Sequence, residues 1–269
     1  MGLRINTNIG ALNASRTLNR SSQALNTSLE RLSSGLRINR AKDDAAGLAI
    51  AEGLHKQVRG TAMAQRNAQD GISFVQTAEG ALSESSNILQ RMRELTVQAL
   101  SDTQEGDGRA NIQLELDQLV AQIDAIANDT EFNGINMLND ATESTTLQVG
   151  FQGGQSLDIQ SVDVTAATLT INGVDVVADA GAALTAIDGA IDSVNTARAT
   201  LGAQQNRLEF TINTLAIQEE NAAASESAIR DADIARESAM FTRNQILVSA
   251  GTSVLAQANV LPQTALQLL

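Results

Sequence analysis

The side chains best placed for chemistry are two carboxylate pairs, Asp43-Asp44 and Asp231/Asp233, since paired carboxylates can divide a general acid from a general base. Arg37, Arg40 and Lys42 precede the first pair, and Arg230 and Arg236 flank the second, so ion pairing accounts for both without a reaction. The Asp231-Ala232-Asp233 spacing opens like a calcium loop but lacks the later acids and the glycine. His55 is the only histidine and cysteine is absent, which excludes a two-histidine zinc helix and any thiolate metal site. His55 stands beside Lys56 and reads as a surface or interface side chain. No phosphate-binding glycine motif occurs, and Gly150-Phe151-Gln152-Gly153-Gly154 reads as a turn. Catalytic residues, metals and cofactors are therefore not expected.

The elements that would carry these residues are mostly helical. Ile187, Val194, Leu201, Leu208 and Leu215 recur every seven residues, with Leu184, Ile191 and Ile212 on the alternate seam, interrupted by Arg198 and Gln205. This predicts a helix over 184–215, roughly 48 Å long. Val75, Leu82, Leu89 and Thr96, with Ala78, Ser85, Met92 and Ala99 beside them and Ile88 and Leu95 widening the stripe, predict a second helix over about 72–100, roughly 44 Å long. The matched lengths allow the two to lie side by side. A break is expected at 101–108, where Gly106-Asp107-Gly108 offers turn chemistry, and Ile112, Leu116, Leu119, Ile123 and Ile126 then predict a third helix folding back on the bundle. Glycines at 47, 53, 60, 71 and 80 each cost a helix about 1 kcal/mol relative to alanine, so helix is expected there only with close backbone approach, after a loop near 40–45.

Between the halves the period changes to two. Leu147 and Val149, then Leu157 and Ile159, alternate around a glycine loop, as in a hairpin. Asn172-Gly173 between 168–171 and 174–177 predicts another. The fold class is thus mainly α, an elongated antiparallel coiled-coil bundle with a small central β-hairpin region and paired N- and C-terminal helices.

Composition bounds the rest. Aromatic residues make up 2% of 269, with no Trp or Tyr, which disfavours a dense globular core, and the single proline, Pro262, leaves long helices possible before it. The net charge of −13 argues against nucleic acid as a partner, although residues 1–60 hold nine basic against four acidic side chains. No apolar run is long enough to span a membrane and no secretory signal is visible at the N-terminus. Both ends are apolar and patterned: Leu3, Ile5, Ile9, Leu12, Leu18, Leu25, Leu29, Leu32 and Leu36 on one side, Ile246, Leu247, Val254, Leu255, Leu266, Leu268 and Leu269 on the other. One copy cannot bury them all. The ends are expected to be disordered in the free monomer and to fold as coiled coil on assembly, with Leu18, Leu25, Leu29, Leu32, Leu36, Leu247, Val254 and Leu255 forming a polymerisation interface. Head-to-tail contacts that do not close would give a helical filament.

Particular runs carry a family resemblance: Leu32-Ser33-Ser34-Gly35-Leu36-Arg37-Ile38-Asn39, Ala41-Lys42-Asp43-Asp44-Ala45-Ala46-Gly47-Leu48-Ala49-Ile50, Ser225-Glu226-Ser227-Ala228-Ile229-Arg230-Asp231-Ala232-Asp233-Ile234-Ala235, and Ser249-Ala250-Gly251-Thr252-Ser253-Val254-Leu255-Ala256-Gln257-Ala258-Asn259. Over about 1–138 and 184–269 the chain resembles the bacterial flagellins. The resemblance implies a filament subunit for swimming motility, exported unfolded through the flagellar type III apparatus without a cleaved signal, aided by a chaperone, and assembled beneath a cap, outside the cell. It implies an inner coiled-coil domain built from 1–43 and 226–269, an outer helical domain from 44–138 and 181–225, and a nearly absent variable insert at 139–180. The run Gln90-Arg91-Met92-Arg93-Glu94-Leu95-Thr96-Val97-Gln98 with Ile112-Gln113-Leu114-Glu115 resembles segments that contact Toll-like receptor 5, making Arg91, Leu95 and Glu115 candidate receptor contacts, with subunit packing as the alternative. A hook–filament junction protein, which also partners such filaments, shares similar termini and is the nearest alternative; a cytoplasmic helical-hairpin signalling protein is a distant one.

Overall fold

A computed structural model of the chain describes residues 7–101, 106–141 and 144–266, with side chains described through 260. The expectations on Leu3, Ile5, Leu268 and Leu269, and on the side chain of Leu266, lie outside the described residues. Five helices occur among them: α1 (Ile9–Ser34), α2 (Ala45–Ala99), α3 (Gly106–Asp129), α4 (Val176–Arg230) and α5 (Ile234–Leu266). Four short strands form two antiparallel hairpins, β1 (Glu131–Phe132) with β2 (Ile135–Asn136) and β3 (Ser144–Gln148) with β4 (Ser156–Gln160). The chain divides into two compact units, one drawn from both ends, up to residue 56 and from residue 221, and one of residues 57–220. Both divisions fall inside helices, α2 and α4, so no loop or composition shift announces them.

Within the 57–220 unit the heptads do what their spacing predicts. Val75, Leu82, Leu89 and Thr96 are buried, as are Ala78, Ser85, Met92 and Ala99. The polar members stay satisfied by bonding back one turn, Ser85 to the Ala81 carbonyl and Thr96 to the Met92 carbonyl at 2.8 Å. Across from them Ile187, Val194, Leu201, Leu208 and Leu215 are buried. Arg93 meets Asp188 at 2.7 Å, Glu79 meets Arg198 at 3.7 Å, and Gln65 meets Glu219 at 2.9 Å, so these stretches of α2 and α4 run antiparallel. The alternate seam of α4 differs from expectation. It runs through Ala183, Ala190, Ala197 and Gln204, one position before Leu184, Ile191, Arg198 and Gln205, because small side chains admit the closer approach. From α3, Ile112, Leu116 and Ile123 complete the core, while Leu119 and Ile126 pack at its edge.

Two local expectations are overturned. Gly106 to Gly108 are not a turn but the first residues of α3, since three residues with no bulky side chain obstruct nothing in a helix's first turn. The hairpin expected at Asn172-Gly173 is absent: such a turn needs positive φ at both central residues, and here only Gly173 has it (87°). Ile171 N–H bonds to the Ala166 carbonyl at 3.0 Å instead, and Leu169 and Ile171 reach the core from a coiled loop that ends at buried Val176, the first residue of α4. The two-residue hairpin that does form uses Asn133-Gly134, both at positive φ (53° and 78°), to join β1 to β2 and set Phe132 edge-on to Phe74, 5.9 Å between ring centres.

The expected hairpin around Gly150–Gly154 is present as β3–β4, with Leu147 opposite Leu157 and Thr145 opposite Ile159. Helix α2 continues through all five glycines, and Gly71 shows why one of them stays small: a Cβ there would lie 2.2 Å from Leu147 Cδ1 and 3.4 Å from Leu208 Cδ1. Gly80 faces open space. Denaturant unfolding followed by circular dichroism should therefore separate them in sign: Gly71→Val should destabilise by about 2 kcal/mol through overpacking, whereas Gly80→Ala should stabilise by about 0.5–1 kcal/mol through helix propensity.

Candidate polymerisation interface

The unit drawn from both ends is built on the pairing of α1 with α5. Asn8 caps α1 by accepting the Ala11 N–H at 3.0 Å. The other end of its amide, Nδ2, donates to the Ala258 carbonyl at 2.7 Å. In an unbroken helix that carbonyl would receive the N–H of residue 262, and residue 262 is proline, so Asn8 supplies the donor that Pro262 lacks. Near the middle, Leu18 lies so close to α5 that a Cβ on Gly251 would come within 3.2 Å of its Cδ1. At the far end Arg31 lies 3.8 Å from Glu237. Residue numbers rise on one helix as they fall on the other, and the pair is antiparallel.

The shared seam follows heptad spacing. Ala11, Leu18, Leu25 and Leu32 are half-buried, with Ser28 buried between them; opposite lie buried Glu237 and half-buried Phe241, Asn244, Val248, Gly251, Leu255 and Ala258. The structure thus sorts the eight residues predicted from sequence. Leu18, Leu25, Leu32 and Leu255 face the partner helix of the same chain, and Leu36 is half-buried in the turn after α1. Leu29, Leu247 and Val254 face outward, 55%, 47% and 56% exposed. Ile246, Val260, Ile9 and Leu12 join them, each more than half exposed. Ile246 and Val260 fall two heptads apart beside Leu247 and Val254, a second stripe visible in the sequence but masked there by the stronger leucine pattern.

Where α1 and α5 meet their neighbours, backbone replaces side-chain packing. Gly35 takes the left-handed conformation (φ 71°) that ends α1 and returns its N–H to the Arg31 carbonyl at 2.8 Å. Leu36 and Asp231 then form an isolated antiparallel bridge, Arg37 N–H reaching the Arg230 carbonyl at 2.7 Å and Ala232 N–H the Gly35 carbonyl at 2.9 Å. The Arg37 guanidinium donates to the Ile229 carbonyl, and Ile38 is buried below.

The carboxylates singled out at the start serve this turn region, and ion pairing is not what holds them. Asp44 caps α2 through the Gly47 N–H (2.9 Å) and Asp233 caps α5 through the Ala235 and Arg236 N–H groups (3.0 and 3.1 Å). Asp43 accepts the Arg40 and Asn39 N–H groups, and Asp231 the Ser227 hydroxyl. Orphan amides at a helix start are nearer than any guanidinium and claim the short acids first. The arginines turn to longer glutamates: Arg40 to Glu30 at 2.8 Å, Arg230 to Glu52 at 3.1 Å. His55 Nδ1 lies 3.1 Å from Glu226 of the same chain. Among the described residues no group of three metal-binding side chains comes together.

In the other unit Arg91 donates to Glu115 at 3.0 Å and to Glu94 at 3.4 Å, and its hydrogen bonds to Glu115 above all favour its protonated form. Arg91 and Glu115 are exposed, but Leu95 is 3% exposed and packs in the core, so its seam reading holds and it offers a receptor nothing to touch.

Two measurements check these assignments. Asn8→Ala should cost about 1 kcal/mol in the stability of the terminal pair, and should speed amide exchange at the first turn of α1. The Asp43 carboxyl is held below its usual value chiefly by the Arg40 N–H, against the opposing effect of burial and with help from the Asn39 N–H, Lys42 and Arg31. A depressed carboxylate stabilises fully above its unfolded value near 3.8 and loses that contribution as pH falls through the folded value, so protection of the Arg40 amide should be flat from neutrality to about pH 5 and fall only below 3.8.

Similarity to known proteins agrees with this architecture. Residues 5–143 match the bacterial flagellin N-terminal helical region and residues 184–269 the bacterial flagellin C-terminal helical region. The chain is 47% identical to a flagellin of Halalkalibacterium halodurans, across 98% of this chain and 99% of that protein. It is 45% identical to a flagellin of Bacillus subtilis (99% and 100%) and 44% identical to the flagellar filament 33 kDa core protein of Treponema phagedenis (98% and 99%). The crystal structure of Bacillus cereus flagellin superposes with a TM-score of 0.50 at 34% identity, covering 56% of this chain and 88% of that one. The chain belongs to the bacterial flagellin family.

Proposed function

We propose that this chain is the structural subunit of a bacterial flagellar filament, polymerising head-to-tail into an open helix through its terminal helices. The family is one of structural proteins, and the chain is not an enzyme. The observation that carries the reading is the outward stripe on α5: Ile246, Leu247, Val254 and Val260 are 47% to 62% exposed on a helix whose opposite stripe is already covered by α1. Such a surface loses free energy to water until another copy covers it. Leu29, Ile9 and Leu12 extend the same liability to α1. Leu18, Leu25, Leu32, Leu36 and Leu255 then act by shaping the intrachain pair that presents the stripe. The pair itself orders on assembly, since its seam is only half-buried in a single copy.

Export through the flagellar type III apparatus with a chaperone, without a cleaved signal, and assembly under the filament cap and beyond the hook-junction proteins follow from the same reading. No helix among the described residues is long and apolar enough to cross a membrane. For Toll-like receptor 5 the proposal narrows to Arg91 and Glu115, whose exposed pair on α2 and α3 is accessible to a partner.

Deleting residues 1–35 or 235–269 should leave the 57–220 unit helical by circular dichroism and abolish fibres in negative stain. A milder variant, Leu247→Asp with Val254→Asp, should keep monomer helicity and raise the critical concentration for seeded polymerisation by at least roughly tenfold. Fibres forming unchanged from either variant would overturn the interface; wild-type chain yielding only short rings would overturn the filament reading itself.

A further inference from the structure

Asn-Gly occurs twice in this chain, at Asn133-Gly134 and Asn172-Gly173, and the fold holds the two copies of this dipeptide in different backbone states. The dipeptide is reactive in water. With no side chain on the following residue to obstruct it, the glycine amide nitrogen can reach the asparagine carboxamide carbon and displace ammonia. Ring closure needs that nitrogen on the same side of the Cα–C bond as Cβ, so the peptide after the asparagine must be free to rotate.

At Asn133 it is not free. φ is 53° there and 78° at Gly134, and in the left-handed region, with ψ of about +47°, the glycine nitrogen points away from Cβ. The pair is the closed turn between β1 and β2, which sets Phe132 opposite Ile135 and edge-on to Phe74. Bringing the Gly134 nitrogen round to Cβ means opening that hairpin. Asn172 and Gly173 are exposed, and Asn172 has a negative φ. Their turn is fastened at its base: the Ile171 and Asn172 N–H groups donate to the Ala166 carbonyl at 3.0 and 3.2 Å, and the Val174 N–H to the Ile171 carbonyl at 3.3 Å. The peptide joining Asn172 to Gly173 spans the top. Among the described residues neither its N–H, nor its carbonyl, nor the Asn172 carboxamide takes part in a hydrogen bond, so it can rotate while its neighbours stay anchored.

We infer that Asn172 is a self-modifying site, at which the folded chain converts asparagine to an acidic residue in water while Asn133 persists. The Gly173 nitrogen gives its proton to a solvent base and bonds to Asn172 Cγ; the Cγ–Nδ2 bond breaks and ammonia departs with a proton, leaving a cyclic imide. One water then adds. Opening at Cγ yields aspartate, and opening at the backbone carbonyl yields isoaspartate, whose main chain runs through the former side chain; no oxidant or reductant takes part. Both products add a negative charge to a chain already at −13, but only isoaspartate lengthens the backbone. The added methylene falls just before Val174, whose carbonyl accepts Gln113 Nε2 at 2.8 Å, and Val176, whose N–H donates to Gln113 Oε1 at 2.9 Å. Those two bonds tie the end of the loop and the start of α4 to α3, and isoaspartate at 172 strains both. The inference is independent of the filament reading.

Full-length monomer aged in mildly alkaline buffer and mapped by peptide mass spectrometry reads both sites in one sample, each conversion appearing as the mass gain of amide to acid. In the folded chain Asn172 should convert roughly tenfold or more faster than Asn133, because the Asn133 hairpin must first open locally. In denaturant the two rates should converge. The isoaspartate form, separated from the aged chain, should exchange its Val176 amide faster than either fresh chain or an Asn172→Asp variant. Equal rates in the folded chain, a faster Asn133, a rate ratio unchanged by denaturant, or an Asn172 still intact when the denatured chain has converted would each overturn the site. Unchanged exchange at Val176 would overturn its effect on the loop.

Discussion

A helix whose partner covers only one of its stripes leaves the remainder of its apolar surface in water, and the pairing of α1 with α5 is an arrangement of this kind. The antiparallel seam uses half-buried leucines, alanines and serines with Gly251 at the closest approach, so the pair is narrow and neither helix wraps the other. Ile246, Leu247, Val254 and Val260 remain on the far side of α5. The proposed assembly, the capping arrangement of the turns and the Asn8 contact to Ala258 all depend on that pair being formed and one-sided.

In the 57–220 unit the same shortage of bulky side chains is met differently. With few aromatics to fill space, the core relies on alanine and serine at alternate seam positions so that backbones come close, and on Phe74 and Phe132 where one ring can sit edge-on to another. Close approach has a consequence in the polar groups it encloses. Ser85 and Thr96 satisfy themselves against their own helix, whereas Gln204, taking the alanine seam's fourth position, has no protein partner for its Oε1 among the described residues.

Acidic residues divide by length. Aspartates, whose carboxyl sits one bond nearer the backbone, take the amides at helix starts and tight turns: Asp44, Asp233, Asp43, and Asp124, which accepts the Ala166 N–H at 2.7 Å. Glutamates more often reach the arginines, as at Arg40 and Arg230, with Asp188 on Arg93 the exception. Of the basic side chains in the first sixty residues, Arg31, Arg37 and Arg40 make such local contacts, to Glu237, the Ile229 carbonyl and Glu30.

Helix positions and core faces were legible because a seven-residue repeat leaves one phase to choose: Leu82, Leu89, Ile187, Val194 and Leu208 could point only inward. The motif runs around residues 32–50 and 225–259 were specific enough to place the chain among flagellins. Other features depended on distance rather than order along the chain. Which leucines at the ends meet each other and which stay exposed, whether Asn172-Gly173 or Asn133-Gly134 makes the two-residue turn, and whether Asp43 and Asp44 pair with arginines or cap amides were decided only when the chain folded back on itself. In each case sequence supplies two or more partners of suitable chemistry, and the winner is the one that packing brings within about 3 Å.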